Sequence, residues 1–419
     1  MEIEYSKILQ FIKETLKDKN NIGSMDVHYL LANLYAMPNE KRSTEERAAI
    51  LQCQIKYNYV ELDKIQGCLI GGAAGDALGF AVEFLEDWRI FERYGERGIT
   101  DYLLSDDIAL ISDDTQMTLF TAEGILRAAG KSKNPTDDEI VKSIYESYLG
   151  WLQTQNSQRE NILYKDTLLL YLDELYNKRA PGLTCIAALE SGKFGTFDKP
   201  LNESKGCGGI MRIAPIAIYL AQTKEYDKLY EIAEVAARSA AITHGHPLGI
   251  IPSGFLGVFI AYLLRGDFPG KALQKAKDAT KKLFASYNKL FCDYTKYCFD
   301  LVDKAVNLAC PKNDEDKVED DLDAIRELGE GWVAEETLAI ALYCSLKYIN
   351  DENGFEKALI ASVNHSGDSD STGALTGNIM GALVGYKNIP QKFKSKLELQ
   401  NVILDISDML CIHKLDIKV

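Results

Sequence analysis

Runs of glycine and alanine inside apolar helical stretches set the tightest limit on how this chain can fold. Gly71, Gly72, Ala73, Ala74 and Gly75 stand in a row within residues 64–84, where the apolar positions follow a helical period. Side chains this small let helix axes approach closely, which suits a compact body of many helices. Helical periodicity recurs at 115–129, 139–152, 229–241, 335–348 and 376–384. Alternating strand patterns are scarce, and no strand–helix–strand rhythm is present. The expected class is therefore all-α, a multi-helix bundle.

Residues 1–58 differ in character. Ile8, Leu9, Ile12 and Leu16 recur at helical spacing before Asn20, Asn21 and Gly23 break the pattern. Two further helices are expected at 28–35 and 44–56. This charged, small region reads as a helical N-terminal extension, with one larger domain over 59–419. The stretch 248–264 is apolar and near the lower length limit for crossing a bilayer. It contains Gly249, Pro252, Ser253, Gly254 and Gly257, and is expected to be a buried core helix. The acidic run 310–330 is expected to be a solvated loop leading into the 335–348 helix.

The 419 residues carry 47 basic and 62 acidic side chains, a net charge of −15, and no dense Lys/Arg run appears. That disfavours a nucleic-acid partner. Nine scattered cysteines form no CxxC pair, and Met1-Glu2-Ile3-Glu4 does not open a secretory signal. A reducing, cytoplasmic setting is expected.

Two acidic clusters carry the chemistry: Ser112-Asp113-Asp114-Thr115 and Asp368-Ser369-Asp370-Ser371. They offer hard oxygen ligands and no soft ones, which suits Mg²⁺ or Mn²⁺ better than zinc. Capping competes for the first cluster, since Asp at a helix start favours the dipole. The second opens like an EF-hand loop, with Gly373 at the sixth position. Ile379 stands where the twelfth-position Glu belongs, so that reading fails. Asp76 and Glu83, seven residues apart on an expected helix, would share one face and supply further oxygen or a structural salt bridge.

The segment Ser204-Lys205-Gly206-Cys207-Gly208-Gly209 is a Gly-rich loop running into an apolar helix, a natural phosphate site or simply a tight turn. It lacks the Gly-Lys-Ser/Thr ending of a P-loop. His244 is expected to contact a substrate and His246 to be structural, while residues 364–366 would support the second cluster from behind.

In order, residues 67–79, 112–117, 206–215, Thr243-His244 and 367–371 resemble the ADP-ribosylglycohydrolase family, which includes the dinitrogenase-reductase-activating glycohydrolases. The match spans about residues 61–390. The resemblance implies an orthogonal all-α bundle holding two Mg²⁺ or Mn²⁺ ions. It implies Ser112, Asp113 and Asp114 as ligands from one side, and Asp368, Asp370 and Ser371 from the other. Glu83 matches the acid implicated in coordination and catalysis, the first candidate for activating water, with Asp113 or Asp114 the second. Gly206, Cys207, Gly208, Gly209 and His244 would hold the ADP-ribose of a modified protein, most simply an arginine-linked one.

The chain departs from the pattern in places. Ser112 and Ser371 stand where relatives often carry Thr, and Cys207 where some have Asn or Ser. The 1–58 extension is absent from the simplest members. Some relatives with an extra N-terminal segment are immunity proteins. Occlusion of an ADP-ribosyltransferase toxin is the alternative function, and a binding-only ADP-ribose sensor a further rival.

Overall fold

A computed structural model describes residues 60–412, apart from 133, 157–162, 165, 286, 314–317 and 319. The extension expected at 1–58, with its three helices, lies outside the described residues. Within them the chain is all-α, with fifteen α-helices and one small hairpin.

The helices are α1 (Leu62–Phe80), α2 (Asp87–Tyr94), α3 (Asp113–Lys131), α4 (Asp137–Asn156) and α5 (Leu183–Glu190). They continue as α6 (Ala214–Thr223), α7 (Ile232–Ala241), α8 (Pro247–Leu264), α9 (Pro269–Ala285) and α10 (Lys289–Ala309). The last five are α11 (Asp321–Leu328), α12 (Ala334–Tyr348), α13 (Gly354–Val363), α14 (Ser369–Val384) and α15 (Gln400–Ile412). Between α2 and α3, Leu104–Ser105 (β1) pairs antiparallel with Ile108–Ala109 (β2).

The centre of the fold is the contact of α1 with α14, which run antiparallel and nearly backbone to backbone. A Cβ on Gly71 would lie 2.2 Å from the carbonyl oxygen of Gly377, and one on Gly377 would lie 1.9 Å from that of Gly71. The same exclusion couples Gly67 with Gly381 and Gly75 with Gly373, at successive four-residue steps along both helices. No other side chain fits, because the facing atoms are main chain and cannot move aside without parting the helices.

Helix α8 is the other inner element. It is the one described helix long and apolar enough to cross a membrane, and all 18 residues are buried within the protein. It starts at Pro247, where the missing N–H costs nothing, and His246 Nδ1 caps it by accepting from Leu248 N–H at 3.0 Å. His246 is thus structural, as expected. Each large apolar side chain sequestered here contributes about 1.5–3 kcal/mol.

Two expectations need correction. Helix α1 stops at Phe80, so Glu83 is not on it; Glu83 lies in tight turns closed by Val82 N–H on Gly79 O and Leu85 N–H on Val82 O. The acidic 310–330 run is not all loop either, because it contains α11. Asp320 caps that helix through Leu322 N–H, Ala324, Ile325 and Leu328 bury its apolar face, and Gly329 at φ +128° ends it.

Candidate metal and active site

The two acidic clusters, far apart in sequence, meet at the N-termini of α3 and α14. Ser112 is the N-cap of α3, its Oγ accepting from Asp114 N–H at 3.2 Å, so Asp113 and Asp114 open the helix. Capping and site-building are therefore one arrangement. The clusters touch directly: Ser371 Oγ donates to Asp114 Oδ2 at 2.8 Å. Asp370 Oδ1 accepts from Ser371 N–H at 2.9 Å, which orients it at the start of α14.

Asp76, from α1, ties the first cluster down. Its Oδ1 accepts from Ser112 N–H at 2.9 Å and its Oδ2 from Thr115 N–H at 3.0 Å; the Thr115 hydroxyl also donates to Oδ2. Asp76 is thus an anchor for the α3 N-terminus rather than a free oxygen. Asp113 is held from the opposite side, accepting from Gly182 N–H at 3.0 Å while its own N–H donates to Arg179 O.

Glu83, Asp368 and Asp370 each present a carboxylate oxygen such that the three lie within 4.8 Å of one another. Glu83 Oε2 and Asp368 Oδ2 are buried without a hydrogen-bond partner. Burial and the neighbouring Asp370 push Glu83 up to about 10, and burial raises Asp113, Asp114 and Asp368 well above the usual carboxylate range. Asp76 is pushed up to about 7 by the same causes. So many buried acids repel one another unless a cation sits among them. Two orphaned carboxylate oxygens in an all-oxygen donor set fit a hard divalent ion.

The 206–209 segment closes one side. Cys207 to Gly209 form a single 3₁₀ turn, and the apolar helix α6 begins only at Ala214, so the loop does not run straight into a helix as the sequence suggested. The segment is stitched to the strand-like stretch before α12: Cys207 N–H donates to Trp332 O, and Ala334 N–H to Lys205 O at 2.9 Å. Burial, and then the neighbouring charges of Asp368 and Asp114, raise the Cys207 thiol well above its ordinary pKa, which marks it as lying beside the acidic centre.

His244 is buried against this turn. A Cβ on Gly208 would lie 3.0 Å from His244 Cε1, and one on Gly206 3.4 Å from Nε2. Its Nδ1 pairs with Thr243 Oγ1 at 2.9 Å, and burial with the nearby Arg212 lowers its pKa to about 3, so the ring is neutral.

Arg212 and Thr243 lie within segments matched from sequence, but neither was given a role of its own there. Arg212 is fully buried, donates to Thr243 Oγ1 at 2.7 Å and lies 4.3 Å over the Tyr148 ring. Among the described residues no carboxylate pairs with it. A lone Arg amid apolar neighbours, Ile210, Met211 and Ile213, was the signal available.

Of residues 364–366, expected to support the second cluster, His365 contacts its helix, while Asn364 and Ser366 tie the segment to Ile99 and Asp87. His365 Nε2 pairs with Thr372 Oγ1 at 3.0 Å, Asn364 Oδ1 accepts from Ile99 N–H at 2.7 Å, and Ser366 Oγ accepts from Asp87 N–H at 2.9 Å.

Comparison with known proteins places this geometry in context. The family model described as ADP-ribosylglycohydrolase matches residues 58–416. An ADP-ribosylarginine hydrolase, Tri1, of Serratia proteamaculans (strain 568) is 24% identical over 92% of this chain and 89% of its own length. The ADP-ribosyl-[dinitrogen reductase] glycohydrolase of Rhodospirillum rubrum is 24% identical over 81% of this chain and 91% of its own. A solved structure of an ADP-ribosylglycohydrolase-related protein complex superposes with a TM-score of 0.51 at 22% identity, over 84% of this chain and 99% of that one. That likeness bears on the fold.

Proposed function

The chain belongs to the ADP-ribosylglycohydrolase family, and on that premise we propose that it is a divalent-metal-dependent hydrolase releasing ADP-ribose from arginine side chains of modified proteins. The observation that carries the reading is the convergence of Glu83, Asp368 and Asp370, two of whose oxygens are buried and orphaned. The arginine linkage is supported by the relative named as an ADP-ribosylarginine hydrolase.

Asp113, Asp114, Asp368 and Asp370, with the hydroxyls of Ser112 and Ser371, would hold two Mg²⁺ or Mn²⁺ ions; Glu83 completes the ring of oxygens. Bound there, such ions supply Lewis acidity toward ribose hydroxyls and lower the pKa of water. With cations bound among these acids Glu83 would be held ionised, and its Oε2, buried and unpartnered, would take the proton from a water set against C1″ of the distal ribose. The surrounding carboxylates stabilise the oxocarbenium-like charge as the bond to the guanidinium nitrogen breaks. Residues 206–209 and the neutral His244 line the opposite wall and hold the ADP-ribose. Arg212 donates to Thr243 Oγ1, so the threonine proton is free to go to His244 Nδ1. That leaves the Nε2–H as the donor beside Gly206.

The test is release of free ADP-ribose from an arginine-ADP-ribosylated protein, with Mg²⁺ and with EDTA, beside Asp113→Ala. Release that needs metal and is lost in the variant supports the reading. Release unchanged by EDTA, or none with metal present, overturns it.

A further inference from the structure

Beside Glu83 the surface carries a feature the hydrolytic centre does not use. Phe84 and Trp332 stack with ring centroids 6.0 Å apart and planes 23° from parallel, yet Phe84 is 71% and Trp332 39% exposed. Aromatic surface of this extent is normally buried. Both rings are tied to the centre. Phe84 follows Glu83 in the chain. Trp332 follows Gly331, where a Cβ would lie 3.5 Å from Asp368 Cβ, and its carbonyl accepts from Cys207 N–H.

The same rim is acidic. Glu86 stands two residues after Phe84 and Glu330 two before Trp332. Together with Asp87 and Glu336 they line a groove of roughly 430 Å³ whose one guanidinium, Arg326, is already paired with Asp87 and Asp323; the lining His365 has its pKa lowered by burial. Four carboxylates against one engaged guanidinium leave the groove able to attract further positive charge. An anionic adenine nucleotide is repelled from such a rim; a planar cation is drawn to it.

We propose that the exposed face of the Phe84–Trp332 pair, with the acidic groove beside it, is the subsite for the guanidinium group of the modified arginine and for basic residues flanking it. The inference rests on the hydrolase reading above and specifies the side of the site that faces the target protein. A delocalised, weakly hydrated guanidinium stacks on an indole face with a favourable quadrupole term. A serine or other small neutral leaving group gains nothing there. Linkage preference is then set by the rim, while the acidic centre and residues 206–209 serve ADP-ribose in either case.

The rival role for the pair is mechanical, pinning the Glu83 turn to the stretch before α12. The experiment separates the two with Trp332→Ala and Trp332→Phe in the full chain. An ADP-ribosylarginine peptide serves as substrate, and free ADP-ribose and Mn²⁺ are titrated as separate ligands. The expected result for Trp332→Ala is a fall of about tenfold in kcat/KM for the peptide. Affinities for ADP-ribose and Mn²⁺ should stay within about twofold, and Trp332→Phe should recover most of the loss. Loss of ADP-ribose or Mn²⁺ affinity in parallel makes the pair a pin and overturns the proposal, as does an unchanged kcat/KM. If the wild-type protein releases nothing from the peptide, the hydrolase reading has failed. The subsite is then judged by binding alone: tighter binding of the peptide than of ADP-ribose, lost in Trp332→Ala, upholds it, and equal binding ends it.

Discussion

Ser371 Oγ donates to Asp114 Oδ2 across 2.8 Å, joining the N-termini of α14 and α3 through residues 257 positions apart in the chain. The bond orients one carboxylate of the first cluster and one hydroxyl of the second against each other. Ser371→Ala is expected to leave the fold intact and to weaken Mn²⁺ binding about 10- to 100-fold, because it removes both a hydroxyl of the donor set and the group that orients Asp114. Calorimetric titration with Mn²⁺ measures this, and unchanged affinity would show that Asp114 is set by α3 alone.

Glu83 should divide binding from chemistry. Glu83→Gln keeps the size of the side chain and one acceptor oxygen but cannot take a proton. Turnover is expected to fall about 10²- to 10⁴-fold when measured at saturating Mn²⁺, which separates loss of the base from any loss of metal affinity. Near-normal turnover at full metal occupancy would assign the base elsewhere, with Asp113 or Asp114 next to be tried.

Glycines make a paired prediction about stability. Gly71→Ala places a methyl 2.2 Å from Gly377 O and must part the two central helices; a loss of about 3 kcal/mol or more is expected. Gly130→Ala, near the end of α3 with nothing within 4 Å of the added carbon, is expected to gain about 0.5–1 kcal/mol. Urea unfolding of both variants beside wild type is the measurement. Similar effects at the two positions would refute the close contact.

Glu123 offers a pH dependence away from the acidic centre. It is buried in α3, its Oε1 accepts from the N–H groups of Leu168 and Leu169, and burial pushes it from 4.5 up to about 7. The folded protein therefore holds this proton more tightly than the unfolded chain does. The stability it contributes is fully present below the unfolded value and is lost as pH rises through 7, in total roughly 3 kcal/mol. Glu123→Gln cannot ionise, so from pH 5 to pH 8 it should gain stability relative to wild type. Urea midpoints at the two pH values decide it, and parallel changes in both proteins would contradict the assignment.

Much of this architecture was legible in the residues, and the remainder was hidden for identifiable reasons. The helical period and the shortage of alternation sufficed for the all-α class, because both are local properties. The two acidic clusters stood out because paired carboxylates are rare in apolar surroundings. The end of α1 at Phe80 was not visible, since 81–85 continue the helical pattern; the break is imposed where Gly79 meets the start of α14, a Cβ there falling 2.1 Å from Ser369 O. Helix α11 was missed although Asp320, the buried Ala324, Ile325 and Leu328, and Gly329 spell out a capped amphipathic turn; the acidic character of the run masked it. Asp76 was read with Glu83 when its partners are Ser112 and Thr115, contacts that only the tertiary fold creates.

The contact of Gly67, Gly71 and Gly75 with Gly381, Gly377 and Gly373 acts as a length standard for the molecule. A slip of one four-residue notch would slide α14 along α1 by about 6 Å, farther than the 4.8 Å within which Glu83, Asp368 and Asp370 gather their oxygens. Little more than two turns of each helix, along a seam of glycines with no side chains, thus calibrate the spacing of the groups that do the chemistry. Tolerance for error at the chemistry is decided by the absence of carbon atoms at a distance from it.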